Sequence, residues 1–203
     1  MSMRAFLIVA ALAAALPAAG PARAEKIPLE TLSAYINSIG SAETSFLQTN
    51  SDGTVAGGRL IIKRPYRMRF EYGPPDMTLV LASAATVAVY DSKSNEPPAQ
   101  YPLRQTPLNL ILGSDIDLTR ARMVVAYGEE GDYTTVTAQD PDNPEYGSIK
   151  LYFSSNPVAL RAWVVTDDTG NQTRVALGAL ITGRDYPGRL FDIAAETARR
   201  MGR

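Results

Sequence analysis

Two residue types are missing from the 203-residue sequence: it has no cysteine and no histidine, and it contains a single tryptophan. Without cysteine there is no disulfide and no thiol nucleophile, so the core stabilises the fold unaided. Without histidine there is no Ser-His-Asp triad and no ordinary zinc, copper or haem site. Charge of one sign is also lacking, with 20 basic residues against 21 acidic. A general nucleic-acid binder draws much of its affinity from neutralised phosphates, and this chain is poorly equipped for that. Only carboxylates, Ser/Lys pairs or oxygen-ligated metals remain for chemistry. No acid pair or motif converges, so we expect a protein that is not an enzyme, needs no cofactor and holds no metal.

A long apolar run is absent too. The longest, AFLIVAALAAAL at residues 5–16, is too short for a comfortable membrane span. Arg4 precedes it and an A-x-A site at Ala22 and Ala24 follows, the pattern of a cleaved secretory leader over residues 1–24. No cysteine follows the run, so no lipid-bearing N-terminal cysteine is expected. Residues 25–203 then form one soluble exported domain. Cleavage removes Arg4 and Arg23 and no acid, which leaves 18 basic against 21 acidic residues.

Leu29, Leu32, Ile36 and Ile39 recur at helical spacing behind Pro28. From Ser41 the period changes to two. TSFLQTN enters an Asp52-Gly53 turn, and TVAGGRLIIKR returns from it. YRMRFEYG, MTLVLAS, TVAVYDS and AQYPL continue the strands. TPLNLILGSD, residues 106–115, reads as a short helix with Thr106 as candidate N-cap and Leu108, Ile111 and Leu112 on one face. Five more strands follow, as far as QTRVALGALITG. The end, RLFDIAAETARRMGR, reads as either a fraying strand or a short helix. Nine or ten antiparallel strands curl into a barrel or a bent sheet, and two short apolar helices are left to cover its concave side.

The segment GGRLIIKRPYRMRFEYGPP carries five basic residues. Alternation places Arg59, Lys63, Arg67 and Arg69 on a solvated outer face, with cross-strand partners such as Glu71. Arg64 is different, since parity groups it with Leu60 and Ile62. An inward arginine needs acceptors, such as the orphan carbonyls of a helix end. Alternatively Pro65 ends the strand and Arg64 reaches water. Parity alone leaves both readings open. The acidic turn DPDNPE is read as a turn rather than a metal site, and Trp163 as core.

The run SFLQTNSDGTVAGGRLIIKRPYRMRFEYGPP, then VAVYDS and YPLRQTPLNLIL, resembles the periplasmic outer-membrane lipoprotein carriers, the LolA family. The resemblance is clearest over residues 45–112. It rests on Phe46-x-Gln48, the Lys63-Arg64-Pro65 triplet, the aromatic-bearing strand after it, and Thr106-Pro107-Leu108. It implies an incomplete antiparallel β-barrel, a curled meander, under a helical lid, with an apolar cavity for the acyl chains of lipoproteins. Arg64 would latch the lid. Leu60, Ile62, Met68, Phe70, Tyr72, Leu79 and Leu81 would line the cavity, and Leu29, Leu32, Ile36, Leu108, Ile111 and Leu112 would supply the lid. The implied setting is the periplasm of a Gram-negative bacterium, with the protein as a monomer. The implied partners are acylated lipoproteins, an inner-membrane lipoprotein-releasing ABC transporter, and an outer-membrane receptor or the outer membrane itself. A lipid or glycolipid binder, or a lipoprotein sensor on the same fold, is the alternative. The chain departs from the family pattern at Ser83-Ala84-Ala85, where an Asp-Gly turn is common, at Ala88, where a bulky aromatic is common, and at its C-terminal end.

Overall fold

The computed structural model describes residues 26–120 and 122–202; the leader expected over residues 1–24 lies outside the described residues. The first helix, α1 (Leu29–Ser38), is followed by a six-strand meander: β1 (Ser41–Thr49), β2 (Val55–Lys63), β3 (Arg67–Tyr72), β4 (Leu79–Ser83), β5 (Thr86–Tyr90) and β6 (Ala99–Pro102). The crossing between β6 and the next strand, residues 103–123, carries a short 3-10 turn (Leu103–Gln105) and α2 (Asn109–Leu112). A second meander follows: β7 (Val124–Glu130), β8 (Tyr133–Gln139), β9 (Ser148–Ser155), β10 (Val158–Thr166) and β11 (Gln172–Leu177), then the short β12 (Ile181–Thr182). The chain ends in a 3-10 turn (Gly188–Phe191) and α3 (Ile193–Met201).

The two meanders join through β1 and β11, giving the order β6-β5-β4-β3-β2-β1-β11-β10-β9-β8-β7, with β12 also on β1. The outermost strands of that order are β6 and β7, so the sheet is open and curled rather than a closed barrel. At Gly58 the strands approach so closely that a Cβ would come within 2.0 Å of the Glu71 carbonyl oxygen. Gly58 pairs with both Phe46 and Tyr72, and the two rings meet edge-on at 5.0 Å.

Pleating divides the apolar side chains between two faces. The concave face buries Phe46, Leu60, Met68, Leu151 and Trp163 together with α1 and α2 residues Leu32, Ile36, Ile111 and Leu112. α1 is pinned there by the Tyr35 hydroxyl, which accepts from Leu160 N at 3.1 Å, and by the preceding Ile27, whose N–H donates to Thr134. The convex face carries a second, smaller core of Ile61, Leu79, Leu81, Ala88 and Tyr90, closed by Tyr186 and Phe191 from the C-terminal segment.

Three expectations are corrected by this arrangement. Leu79 and Leu81 belong to the convex core, because Phe70 pairs with Val80, so Val80 and Ala82 take the concave places. Arg69 is not solvated: its side chain is 9% exposed, with Nε 2.7 Å from Glu71 Oε1, Nη1 donating to the Leu190 carbonyl at 2.9 Å, and Glu196 at 3.5 Å. Thr106 is not a helix cap. α2 starts at Asn109, and the Thr106 hydroxyl donates back to the Leu103 carbonyl. The other polar-face residues keep their expected side, Arg59 bridging Glu43 at 2.7 Å and Glu71 at 3.4 Å. Of the two readings for the C-terminal end, the helix is the one found, with the Asp192 side chain accepting from Ala195 N at 2.9 Å as N-cap. Ala88 lies in the convex core, so its small size takes nothing from the concave side.

Glu43 gathers the convex surface, accepting from Arg59 Nε at 2.7 Å and from the Tyr186 hydroxyl at 2.6 Å. These bonds, Arg59 first, hold its carboxyl at about 2 against an ordinary 4.5. Its contribution to stability is complete above about 4.5 and is lost as pH falls through about 2. Glu43→Gln is therefore expected to flatten the acid limb of a Tm-against-pH profile over that interval. An unchanged limb would assign acid unfolding to other groups.

Candidate functional site: a cavity beneath a pinned lid

Between the concave face and the crossing lies a cavity of about 650 Å³. Its apolar wall includes Phe70 and Tyr72 of β3, Val80 of β4, Trp163 and Val165 of β10, and Val175 of β11. Tyr101, Pro107 and Leu108 border it from the edge strand and the crossing. Phe70 stands edge-on to both Phe46 (5.0 Å) and Trp163 (6.2 Å), so one aromatic group spans the floor. These rings come from three strands, β1, β3 and β10, that the curl of the sheet brings together.

Of the residues expected to line the cavity, Phe70 and Tyr72 do so. Leu60, Ile62 and Met68 face the same side but are packed in the core beside the cavity. Leu79 and Leu81 lie behind the sheet. Among the expected lid residues, Leu108 borders the cavity, while Leu32, Ile36, Ile111 and Leu112 are buried against the concave core and Leu29 packs at its margin. Sequence reasoning missed Val80, Val165 and Val175, whose alternation held the signal once strand phase was known. Trp163, read as core, is both buried and part of the wall.

Arg64 sits at the end of β2 where α1 and α2 meet. Its guanidinium donates to the Gly113 carbonyl from Nη2 at 2.7 Å and from Nε at 3.3 Å, and to Asn37 Oδ1 at 2.9 Å. Nη1 donates to the Ile36 carbonyl. One side chain thus serves carbonyls near the C-terminal ends of both helices, where positive charge suits the helix dipole. The Ile36 oxygen also accepts from Ile39 N at 3.1 Å. Partial burial lowers its pKa from the usual 12.5, which leaves it cationic. The backbone repeats the connection: Arg64 N donates to the Gly40 carbonyl and Tyr66 N to the Leu112 carbonyl, each at 2.8 Å. Asn37 ties α1 to the crossing through Ile116, donating to its carbonyl at 2.8 Å and accepting from its N–H at 3.0 Å. Of the two readings parity left open for Arg64, the geometry matches the one with helix-end acceptors.

A polar thread enters this apolar wall. The Tyr72 hydroxyl donates to Gln48 Oε1 at 2.6 Å, and Gln48 Nε2 donates to Asn50 Oδ1 at 2.7 Å. Asn50 Nδ2 then donates to Thr54 Oγ1 at 2.9 Å, and Thr54 Oγ1 donates to Asp52 Oδ1 at 2.6 Å. Burial pushes the Tyr72 phenol up to about 12, so it stays neutral. Hydrogen bonds from the Thr54 side chain and backbone hold Asp52 below its ordinary value.

No helix among the described residues is long and apolar enough to cross a membrane. A likeness to a solved DUF1329 family protein from Desulfovibrio piger, at a TM-score of 0.50 and 9% identity, covers 82% of this chain and 95% of that one and concerns the fold alone. In sequence, the chain is 29% identical over 196 residues to an outer-membrane lipoprotein carrier protein of Chromobacterium violaceum, covering 93% of this chain and 91% of that protein. It is 27% identical over 198 residues to a protein of the same description from Chromohalobacter salexigens, covering 93% of each. The family described as outer membrane lipoprotein carrier protein LolA matches residues 37–194, which include the whole sheet, Arg64 and every cavity residue named above and end at the start of α3. The chain belongs to the LolA family of outer membrane lipoprotein carrier proteins.

Proposed function

We propose that this protein is a periplasmic carrier that shelters the acyl chains of lipoproteins in its concave cavity between the inner and the outer membrane. The observation that carries this reading is the combination of an apolar cavity with a cover held to the sheet by one cationic side chain, Arg64, bonded to both helices. Burying an acyl chain gains roughly 25 cal/mol per Å² of apolar surface, or about 0.8 kcal/mol per methylene. Release is the harder half of the task. A closed empty state, favoured by the Arg64 bonds, competes with the loaded state and lowers apparent affinity. Such a cycle binds and releases without bond chemistry and needs no cofactor in the carrier. Loading then falls to an inner-membrane lipoprotein-releasing ABC transporter, and unloading to an outer-membrane receptor or to the membrane itself.

The test is a spheroplast release assay. Protein lacking residues 1–24 is added to spheroplasts that make a tagged outer-membrane lipoprotein, with the cognate transporter present. Recovery of the tagged lipoprotein in a soluble one-to-one complex is the expected result. No release by folded protein would overturn the carrier reading in favour of a lipid binder or lipoprotein sensor.

A further inference from the structure

The hydrogen-bond thread from Tyr72 to Asp52 has a direction, and the direction is set at its exposed end. An ionised carboxylate only accepts, so Asp52 compels the Thr54 hydroxyl to donate to it. Thr54 Oγ1 is then an acceptor toward Asn50, which must present Nδ2 there and Oδ1 to Gln48. Gln48 in turn presents Nε2 to Asn50 and Oε1 to the Tyr72 hydroxyl. Reversing Asn50 would set oxygen against oxygen at Thr54, and reversing Gln48 alone would do so at Asn50. The proton of Tyr72 is therefore committed to Gln48, and among the described residues nothing donates to Tyr72 Oη in return.

Tyr72 and Gln48 both line the cavity. The cavity is mainly apolar, although Glu145, Asp167 and Asp168 also border it, and beside the rings of Phe70 and Tyr72 it thus offers a neutral acceptor whose own donor is spent. A ligand that brings only acceptors to this point, such as an ester, leaves two desolvated oxygens facing one another. A ligand that brings an N–H satisfies the phenol oxygen. We propose that Tyr72 Oη is a specificity-determining acceptor that selects acyl chains joined through a secondary amide over chains joined through an ester. This rests on the cavity being the acyl site. Among acylated cargo, the group that fits is the amide N–H of an acylated N-terminus. Simple ester lipids lack it, so the same acceptor would disfavour diacyl phospholipids, which are abundant competitors in a membrane-bounded compartment. Tyr72 touches the ligand, whereas Asp52 is a positioning residue that acts only by polarising the thread.

The experiment uses two matched amphiphiles that differ only at the junction: dodecanoyl-glycine methyl ester, with an amide N–H, and dodecanoyl-glycolic acid methyl ester, with an ester oxygen in its place. Each is titrated into the protein below its aggregation concentration. The readout is fluorescence of Trp163, the single tryptophan, which forms part of the cavity wall. The wild type is expected to bind the amide about fivefold more tightly, the size of one neutral hydrogen bond. Tyr72→Phe keeps the ring against Phe46 and Phe70 and should bring the ratio to about one. Asp52→Ala, on the exposed hairpin and unable to disturb the core, should also reduce the ratio, since the thread is then free to reverse. Equal affinity for both amphiphiles in the wild type would overturn the proposal and leave the carrier reading standing, as would a preference that survives Tyr72→Phe. A cavity responding to neither amphiphile would remove both together.

Discussion

Arg64→Leu is expected to give a folded protein that takes up cargo and delivers it slowly. The sheet does not depend on the guanidinium, but the Gly113 carbonyl loses its donors when it goes and the Ile36 carbonyl is left with Ile39 N alone. Hydrogen bonds to a charged group contribute about 1.5–3 kcal/mol when well buried. The half-exposed setting and remaining backbone links reduce the net loss to about 2 kcal/mol. That shifts the balance between closed and open empty forms roughly thirtyfold. Cargo then no longer competes with a stable closed state, so apparent affinity rises and transfer to acceptor membranes slows. Amide exchange in α1 and the crossing should quicken, while that of the β9–β10 pair should not. Arg64→Lys should fall between the two, because one ammonium cannot span both carbonyls in the fixed fork of a guanidinium. Delivery by Arg64→Leu at the wild-type rate would show that the bonds hold shape and play no part in release.

Arg69→Met is expected to have the opposite profile, a large loss of stability with little effect on delivery at permissive temperature. Its guanidinium joins β3 to the C-terminal segment through Leu190 and Glu196, on the face turned away from the cavity. Burial alone would raise the Glu196 carboxyl, yet hydrogen bonds from Arg200 and Arg199, with the charge of Arg69, bring it below its ordinary value. Breaking a buried pair costs about 3–5 kcal/mol. Here Glu196 keeps Arg199 and Arg200, so about 3 kcal/mol is expected, or roughly 6–12 °C in Tm for a chain of this size. A Tm within about 2 °C of the wild type would mean that α3 contributes little. The pair of substitutions separates the two faces of one sheet: the concave side changes state, and the convex side keeps the strands together while it does.

Much of this was readable from the chain. Two-residue alternation located the strands from Ser41 to Leu177, helical spacing located α1, and parity alone singled out Arg64 from its basic neighbours. The failures share a cause. Alternation counts faces only within an unbroken strand, and the Gly73-Pro74-Pro75 break before β4 resets the phase, so Leu79 and Leu81 were placed on the wrong side. Arg69 looked solvated because its partners Leu190 and Glu196 lie more than 120 residues along the chain, beyond any local pattern. The joining of β1 to β11 is equally remote and has no local signature. The helix at Ile193–Met201 did leave a trace: Asp192 as a cap at its start and Arg199 and Arg200 in its last turn.

The size of the cavity sets a capacity. A methylene is about as bulky as the roughly 30 Å³ share of a liquid water molecule, so about 650 Å³ accommodates some twenty of them, one long hydrocarbon tail and little besides. Under the carrier function proposed above, cargo with two or three tails would overfill this space. Taking it up would then be a swelling step, in which the cover moves outward and the added volume is occupied by lipid rather than water. The empty and the filled protein would differ in hydrodynamic radius as well as in mass, and an acceptor would recognise a full carrier by its girth before touching what it carries.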